Sequence, residues 1–242
     1  DIYNGNQAPH AHRTVYAHVA GLAEHMIRIK CQDIGGGFGN KVPVYPGYVC
    51  AIAGSIVAGV PVKWVENRTE NLVSTGFARD YVMRAEMCSK DGKITGLRVD
   101  VIADHGAFDS TAQPTKFPAG FFHIVCGSYD LEASHVQVKA VYTNKAPGGV
   151  AYRCSFRITE AVYLVERMVD ALAREMKVDP IEVRMNSFIA PEQFPYETTT
   201  GWTYDSGNYA ETMRVAMDIA GYDALRAEQA EKRERGELMG IG

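Results

Sequence analysis

Within residues 13–26, RTVYAHVAGLAEHM, apolar side chains recur at Val15, Val19 and Leu22. That three-and-four spacing predicts an amphipathic helix after the opening loop DIYNGNQAPHAHR. MIRIKCQDI then alternates apolar and polar positions and reads as a strand, and GGGFGN (35–40) reads as a loop. The longest apolar run, YVCAIAGSIVAGVPV (48–62), lies mostly in residues 46–59, which read as a buried, small-residue-rich helix. VKWVEN (62–67) follows as a strand. Residues 81–104 give two alternating runs about Asp91-Gly92, the signature of a hairpin. ASHVQVKAVYTN (133–144) is one more strand, leading into KAPGGVAYRCSFR.

The C-terminal third changes period. Residues 155–176 predict a long helix with Val162, Val165, Val169 and Leu172 as its inner stripe. Residues 178–189 predict another, with Asp179 as N-cap, Pro180 in the first turn and Glu182 completing a capping box. A polar stretch, 190–208, precedes a last helix at about 209–234, whose end is strongly charged. Helices mixed with a local hairpin place the chain in the α+β class rather than in a doubly wound one.

Composition narrows the choices. The 242 residues carry 46% hydrophobic and 22% charged side chains, an ordinary globular mixture with material for a sizeable core. A formal net charge of −4 gives no footprint for nucleic acid or an anionic membrane. The longest apolar run is too short to span a bilayer. Five cysteines, Cys31, Cys50, Cys88, Cys126 and Cys154, show no CxxC pair, which argues against a disulfide framework. It points instead to mostly buried thiols in a reducing cytoplasm. An opening on Asp1 and a close on ELMGIG lead to the expectation of a piece of a longer protein.

Three loops could carry chemistry. In NGNQAPH (4–10), Gln7 offers an amide able to hold an oxo or hydroxyl ligand, or it lies in a solvated turn. In GGGFGNK (35–41), successive glycines let backbone N–H groups approach an anion or a metal-bound oxygen, or simply make a tight turn. The spacing of a P-loop is absent, and so is that of a dinucleotide fingerprint. In the third loop, Arg153 and Arg157 flank Cys154, and a helix begins just beyond. Both favour a thiolate, which serves as nucleophile or as soft-metal ligand. His105 and His123 are distant in sequence, and nothing ties either to that thiol. A single thiolate is a poor zinc site but suits copper(I).

Together, NQAPH, GGGFGNK and AYRCSFR resemble the molybdenum hydroxylase family (xanthine dehydrogenase, aldehyde oxidase and relatives) over essentially the whole chain. AYRCSFR is similar to the active-site loop of the family's aerobic, form I carbon-monoxide-oxidising branch. The resemblance implies that residues 1–242 are an incomplete molybdopterin-binding domain, with a first part at 1–189 and the start of a second at about 190–242. It implies a cofactor of molybdenum with molybdopterin cytosine dinucleotide, in contact with Gln7, Gly36, Gly37, Phe38, Gly39, Ala151, Tyr152 and Arg153. It implies copper(I) on Cys154, Phe156 as a wall of the substrate pocket, and Gln7, Phe38, Arg153, Cys154 and Phe156 as the residues around the reacting centre. The implied reaction oxidises carbon monoxide with water to CO2. Electrons would pass to a small subunit with 2Fe–2S clusters and a medium subunit with FAD, in a dimer of heterotrimers. Such an enzyme would sit in the cytoplasm or at the inner face of the cell membrane. Within the same fold the alternative is a copper-free hydroxylase of an aldehyde or N-heterocycle, and from another class a non-catalytic anion-binding domain.

Overall fold

A computed structural model describes residues 1–76, 80–107, 119–146 and 158–242. The fold is α+β, with mixed helices and short sheets, and contacts divide it into two compact units. The first comprises Asp1–Glu86, Arg98–Val125 and His135–Glu166; the second comprises Met87–Leu97, Cys126–Ser134 and Arg167–Gly242.

The first unit opens with β1 (Ile2–Tyr3), paired in parallel with β2 (Ile29–Lys30) in the register Ile2–Ile29 and Tyr3–Lys30. Helix α1 (Pro9–Ala20) lies between them and starts four residues earlier than expected. Pro9 has the fixed φ suited to a first turn and no N–H to leave unpaired there, and Gly21, at φ 64°, ends the helix. The buried face is His12, Tyr16 and Ala17, while Val19 and Leu22 are exposed. Counting aliphatic residues therefore chose the wrong stripe, because the inner one is polar and aromatic. Tyr16, Ala17 and Ile27 form a small core with Ile2, Ile29, Val44, Tyr48 and Ile52 packed on it.

Two expectations in this unit need correction. The strand at 26–34 shrinks to β2, because a 3-10 turn occupies Glu24–Met26 and only two residues find a partner. Residues 62–67 form no strand, because they find no ladder partner. Helix α2 (Pro46–Ala58) forms where expected but buries no residue completely. With Trp64 and its neighbours it lines an open groove of about 1390 Å³, so its apolar side chains remain partly uncovered. Helix α3 (Arg68–Ser74) follows, closed by a reciprocal box between Asn67 and Glu70.

Strands β3 (Tyr81–Lys90) and β4 (Lys93–Asp104) form the expected hairpin, and β5 (Ala133–Val141) completes a sheet of order β3-β4-β5. Asp91 and Gly92 both take positive φ, 52° and 80°, as a type I′ turn requires. Along β4, Leu97, Val99, Val101 and Ala103 are buried, the period-two pattern of a strand with one covered face. Helix α4 (Ala119–Ile124) lies between β4 and β5.

Helix α5 (Ile158–Met176) buries Ala161, Leu164, Val165, Val169 and Ala173, whereas Val162 is exposed. In the second unit, α6 (Pro180–Ser187) is capped by the Asp179 carboxylate on the Ile181 N–H at 2.8 Å, rather than by a reciprocal box with Glu182. The same carboxylate accepts from the Tyr222 hydroxyl and pairs with Arg226. The hairpin β6 (Tyr196–Glu197) and β7 (Thr203–Tyr204) precedes the C-terminal helices. The single helix expected at 209–234 is two, α7 (Tyr209–Ala220) and α8 (Tyr222–Glu234), because Gly221 at φ 64° breaks it.

The hairpin turn is open to a direct check. A Cβ on Gly92 would meet only the Asn186 amide at 3.5 Å, an ordinary contact, so the cost of Gly92→Ala is confined to its backbone angle. Chemical denaturation should show a loss of about 1 kcal/mol, with no change in ligand-dependent properties.

Candidate functional site

The site grows from the turn between β1 and α1. Asn6 Oδ1 accepts from the Ala8 N–H at 2.9 Å, which makes a tight side-chain-closed turn with exposed Gln7 at its tip. Two bonds stitch Gln7 to the glycine loop. Its backbone N–H donates to Lys41 O at 3.2 Å, and its Oε1 accepts from the Gly39 N–H at 2.9 Å. Because a backbone N–H can only donate, the end of the amide facing Gly39 must be oxygen. The NH2 end is then what Gln7 can offer to a ligand.

That approach depends on glycine at 37. A Cβ there would lie 2.2 Å from Gln7 Oε1, so any side chain would expel the amide. At Gly36, φ is 100° and a Cβ would strike the Phe38 ring at 2.5 Å. Phe38 itself sits at φ 53°, a left-handed conformation that L-residues rarely adopt, with its ring folded over Gly36. Such backbone strain is characteristic of ligand clamps. Asn40 N–H to Gly37 O and Val42 N–H to Gly39 O close the loop.

Beneath the turn is a buried polar network that sequence reading missed. His12, fully buried, donates from Nε2 to Val42 O at 2.9 Å, because a carbonyl can only accept. Its Nδ1 is then an acceptor, 3.0 Å from the Tyr16 hydroxyl, and Asn4 Nδ2 donates to that hydroxyl at 2.9 Å. Asn6 Nδ2 bonds Asn4 Oδ1 and, at 3.0 Å, Cys31 Sγ. Burial pushes the His12 imidazole below its ordinary value and the Tyr16 phenol well above its own. The sequence did hold a signal: His12 and Tyr16 stand four apart, and two asparagines sit just before Gln7.

The structure thus brings together Gln7, Gly36, Gly37, Phe38 and Gly39. Ala151, Tyr152, Arg153, Cys154, Phe156 and Arg157 lie outside the described residues. The strands leading toward that segment are tied: His105 N–H to Val141 O at 2.8 Å, Thr143 N–H to Gly106 O at 2.9 Å and Ala107 N–H to Lys145 O at 3.1 Å. Lys145 pairs with Asp104 and Asp80, and Thr143 bonds Asp104 at 2.7 Å. Of the other cysteines only Cys126 is buried; Cys31, Cys50 and Cys88 are exposed, which corrects the expectation of buried thiols. Cys50 stands on α2 and Cys88 on β3, whereas Cys31 follows β2 and still turns its sulfur to Asn6. Among the described residues no cluster of three or more His, Cys, Asp or Glu side chains could hold a metal, and no helix is long and apolar enough to cross a membrane.

A strand, a glycine turn and an amide locked against it form a cradle suited to a ligand rich in oxygen, and comparison with known proteins gives it a family. Residues 1–188 match the molybdopterin cofactor-binding domain, and the chain belongs to that family. Within it, the chain is 60% identical over 244 residues to the carbon monoxide dehydrogenase large chain of Hydrogenophaga pseudoflava, covering 99% of this chain and 30% of that protein. It superposes on CO dehydrogenase from Oligotropha carboxidovorans with a TM-score of 0.91 at 57% identity, covering 97% of this chain and 30% of the other. For the Cu,Mo-CO dehydrogenase in its carbon monoxide reduced state the TM-score is 0.92 at 57% identity, covering 98% and 30%. The chain therefore spans about 30% of the length of these relatives.

The network's chemistry sets a pH response. A folded-state imidazole below the ordinary value of 6.5 means that the unfolded chain binds more protons as pH falls past that value. The stability contributed by neutral His12 should be whole well above pH 6.5 and decline as pH falls below it. Thermal unfolding across that window should show the decline, and His12→Gln should flatten it.

Proposed function

We propose that this chain is the part of a carbon monoxide dehydrogenase large subunit that cradles its molybdopterin cofactor. The observation that carries this reading is the 60% identity, across nearly the whole chain, to a carbon monoxide dehydrogenase large chain.

The described residues fit such a group. A neutral amide with its NH2 end available suits a metal-bound oxygen, and a loop with no Cβ at Gly37 leaves room for close approach. Gln7, Gly36, Gly37, Phe38 and Gly39 would hold the group from one side, and Ala151, Tyr152 and Arg153 from the other. Cys154 would carry copper(I), whose softness matches both a thiolate and carbon monoxide. When bound, molybdenum and copper supply the two-electron oxidation of carbon monoxide with water to CO2. The chain's own residues do the rest. Gln7 orients an oxygen, Arg153 favours the Cys154 thiolate, and Phe38, Tyr152 and Phe156 keep bulk water away.

The same reading takes the cofactor in its cytosine dinucleotide form. It divides the chain near residue 189, beside the end of the family match at 188. Among the described residues no cysteine cluster could hold an iron–sulfur centre. Electrons would therefore leave through partner subunits bearing 2Fe–2S clusters and FAD, in a dimer of heterotrimers. The enzyme would work in the cytoplasm or at the inner face of the membrane.

Metal analysis of the full-length enzyme tests the assignment. Copper and molybdenum should be present in equal amounts, and Cys154→Ser should lose copper and carbon monoxide oxidation while keeping molybdenum. Molybdenum alone, with aldehyde or N-heterocycle turnover that survives Cys154→Ser, would make the protein a copper-free hydroxylase instead.

A further inference from the structure

We infer that Asn6 is a positioning residue that holds Gln7 in its working orientation, an inference resting on the reading that Gln7 faces the cofactor. Asn6 is 3% exposed, directly beneath an exposed functional neighbour. A buried polar side chain is retained only where its hydrogen bonds are met, and those of Asn6 are. Its oxygen takes the Ala8 N–H, and its NH2 serves Asn4 Oδ1 and Cys31 Sγ.

These bonds belong to a closed circuit. Asn6 leads to Asn4, Asn4 to the Tyr16 hydroxyl, Tyr16 to His12, and His12 to Val42 O. Val42 lies in the segment that supplies Gly39 N–H and Lys41 O to Gln7. Both bases of the Gln7 tip, the turn it stands on and the loop it touches, are thus fixed to one buried network. No smaller side chain does what Asn6 does. Alanine loses all its bonds, the single hydroxyl of serine can accept from Ala8 but cannot replace both NH2 donations, and aspartate, of the same size, would bury a charge beside Asn4 Oδ1. Removing the pin would let Gln7 drift, and a displacement of about 1 Å in a positioned group costs on the order of a hundredfold in rate.

The Gly39 amide reports on Gln7 without reference to turnover. Hydrogen–deuterium exchange on the full-length protein, resolved to single residues, should show Gly39 exchanging about tenfold faster in Asn6→Ala, as in Gln7→Ala. The amides of Tyr16 and Ala17 should keep their wild-type rates. Asn6→Ala should lower kcat with little change in KM, Asn6→Ser should restore part of the loss, and Asn6→Ala added to Gln7→Ala should change kcat by less than about twofold. Unchanged Gly39 exchange in both Asn6 variants, or kcat losses that multiply, would overturn the proposal. Should Asn6→Ala also loosen α1, Asn6→Ser decides: faster Gly39 exchange over a protected α1 supports it, and joint loosening overturns it. Normal turnover in Gln7→Ala would instead refute the catalytic reading of Gln7, while Gly39 exchange would still decide whether Asn6 holds it.

Discussion

The hydrogen bond from the Gly39 N–H to Gln7 Oε1 is the constraint on which the site rests. It joins two loops more than thirty residues apart in sequence and fixes which end of an amide faces outward. It exists because position 37 has no Cβ, since any side chain there would occupy the space of the Gln7 oxygen. The glycine loop is therefore more than a flexible turn: one glycine admits the partner, another bends the chain at positive φ, and Gly39 supplies the donor. An exposed side chain held this way loses less freedom on meeting a ligand, which is the physical sense of preorganisation.

Beneath that bond the molecule spends polar groups where an apolar core would be simpler. A buried histidine, a tyrosine and two asparagines satisfy one another and the Val42 carbonyl. Such networks add little net stability when complete and cost heavily when broken, so they specify geometry more than they strengthen a fold. The surrounding hydrophobic material is modest: Tyr16, Ala17 and Ile27 with a ring of half-buried neighbours. The wide apolar groove beside α2 belongs to a chain that spans about 30% of the length of its relatives.

Much of this was readable in the sequence where local chemistry decides. Asp91-Gly92 announced its turn, the alternation of β4 its strand, and Asp179-Pro180 a helix start, because each signal lies within a few residues. Failures came where partners are distant or polar. Residues 62–67 have strand composition, but a strand exists only when another pairs with it. Helix α1 starts earlier than its aliphatic pattern implies because its inner stripe includes His12 and Tyr16, and Gly221 ends α7 inside an otherwise continuous helical pattern. Gln7 and the glycine loop stand in a local motif, whereas the part Asn6 plays is set by a fold that brings Cys31, Asn4 and Ala8 around it. The family resemblance anticipated the family match over residues 1–188.

The most direct measurement is a high-resolution crystal structure of the full-length protein carrying its cofactor. It should show Gln7 Nε2 within about 3 Å of an oxygen ligand of molybdenum, with Oε1 still on the Gly39 N–H. A Gln7 side chain turned from the metal, or a Gly39 N–H bonded elsewhere, would contradict the cradle described here.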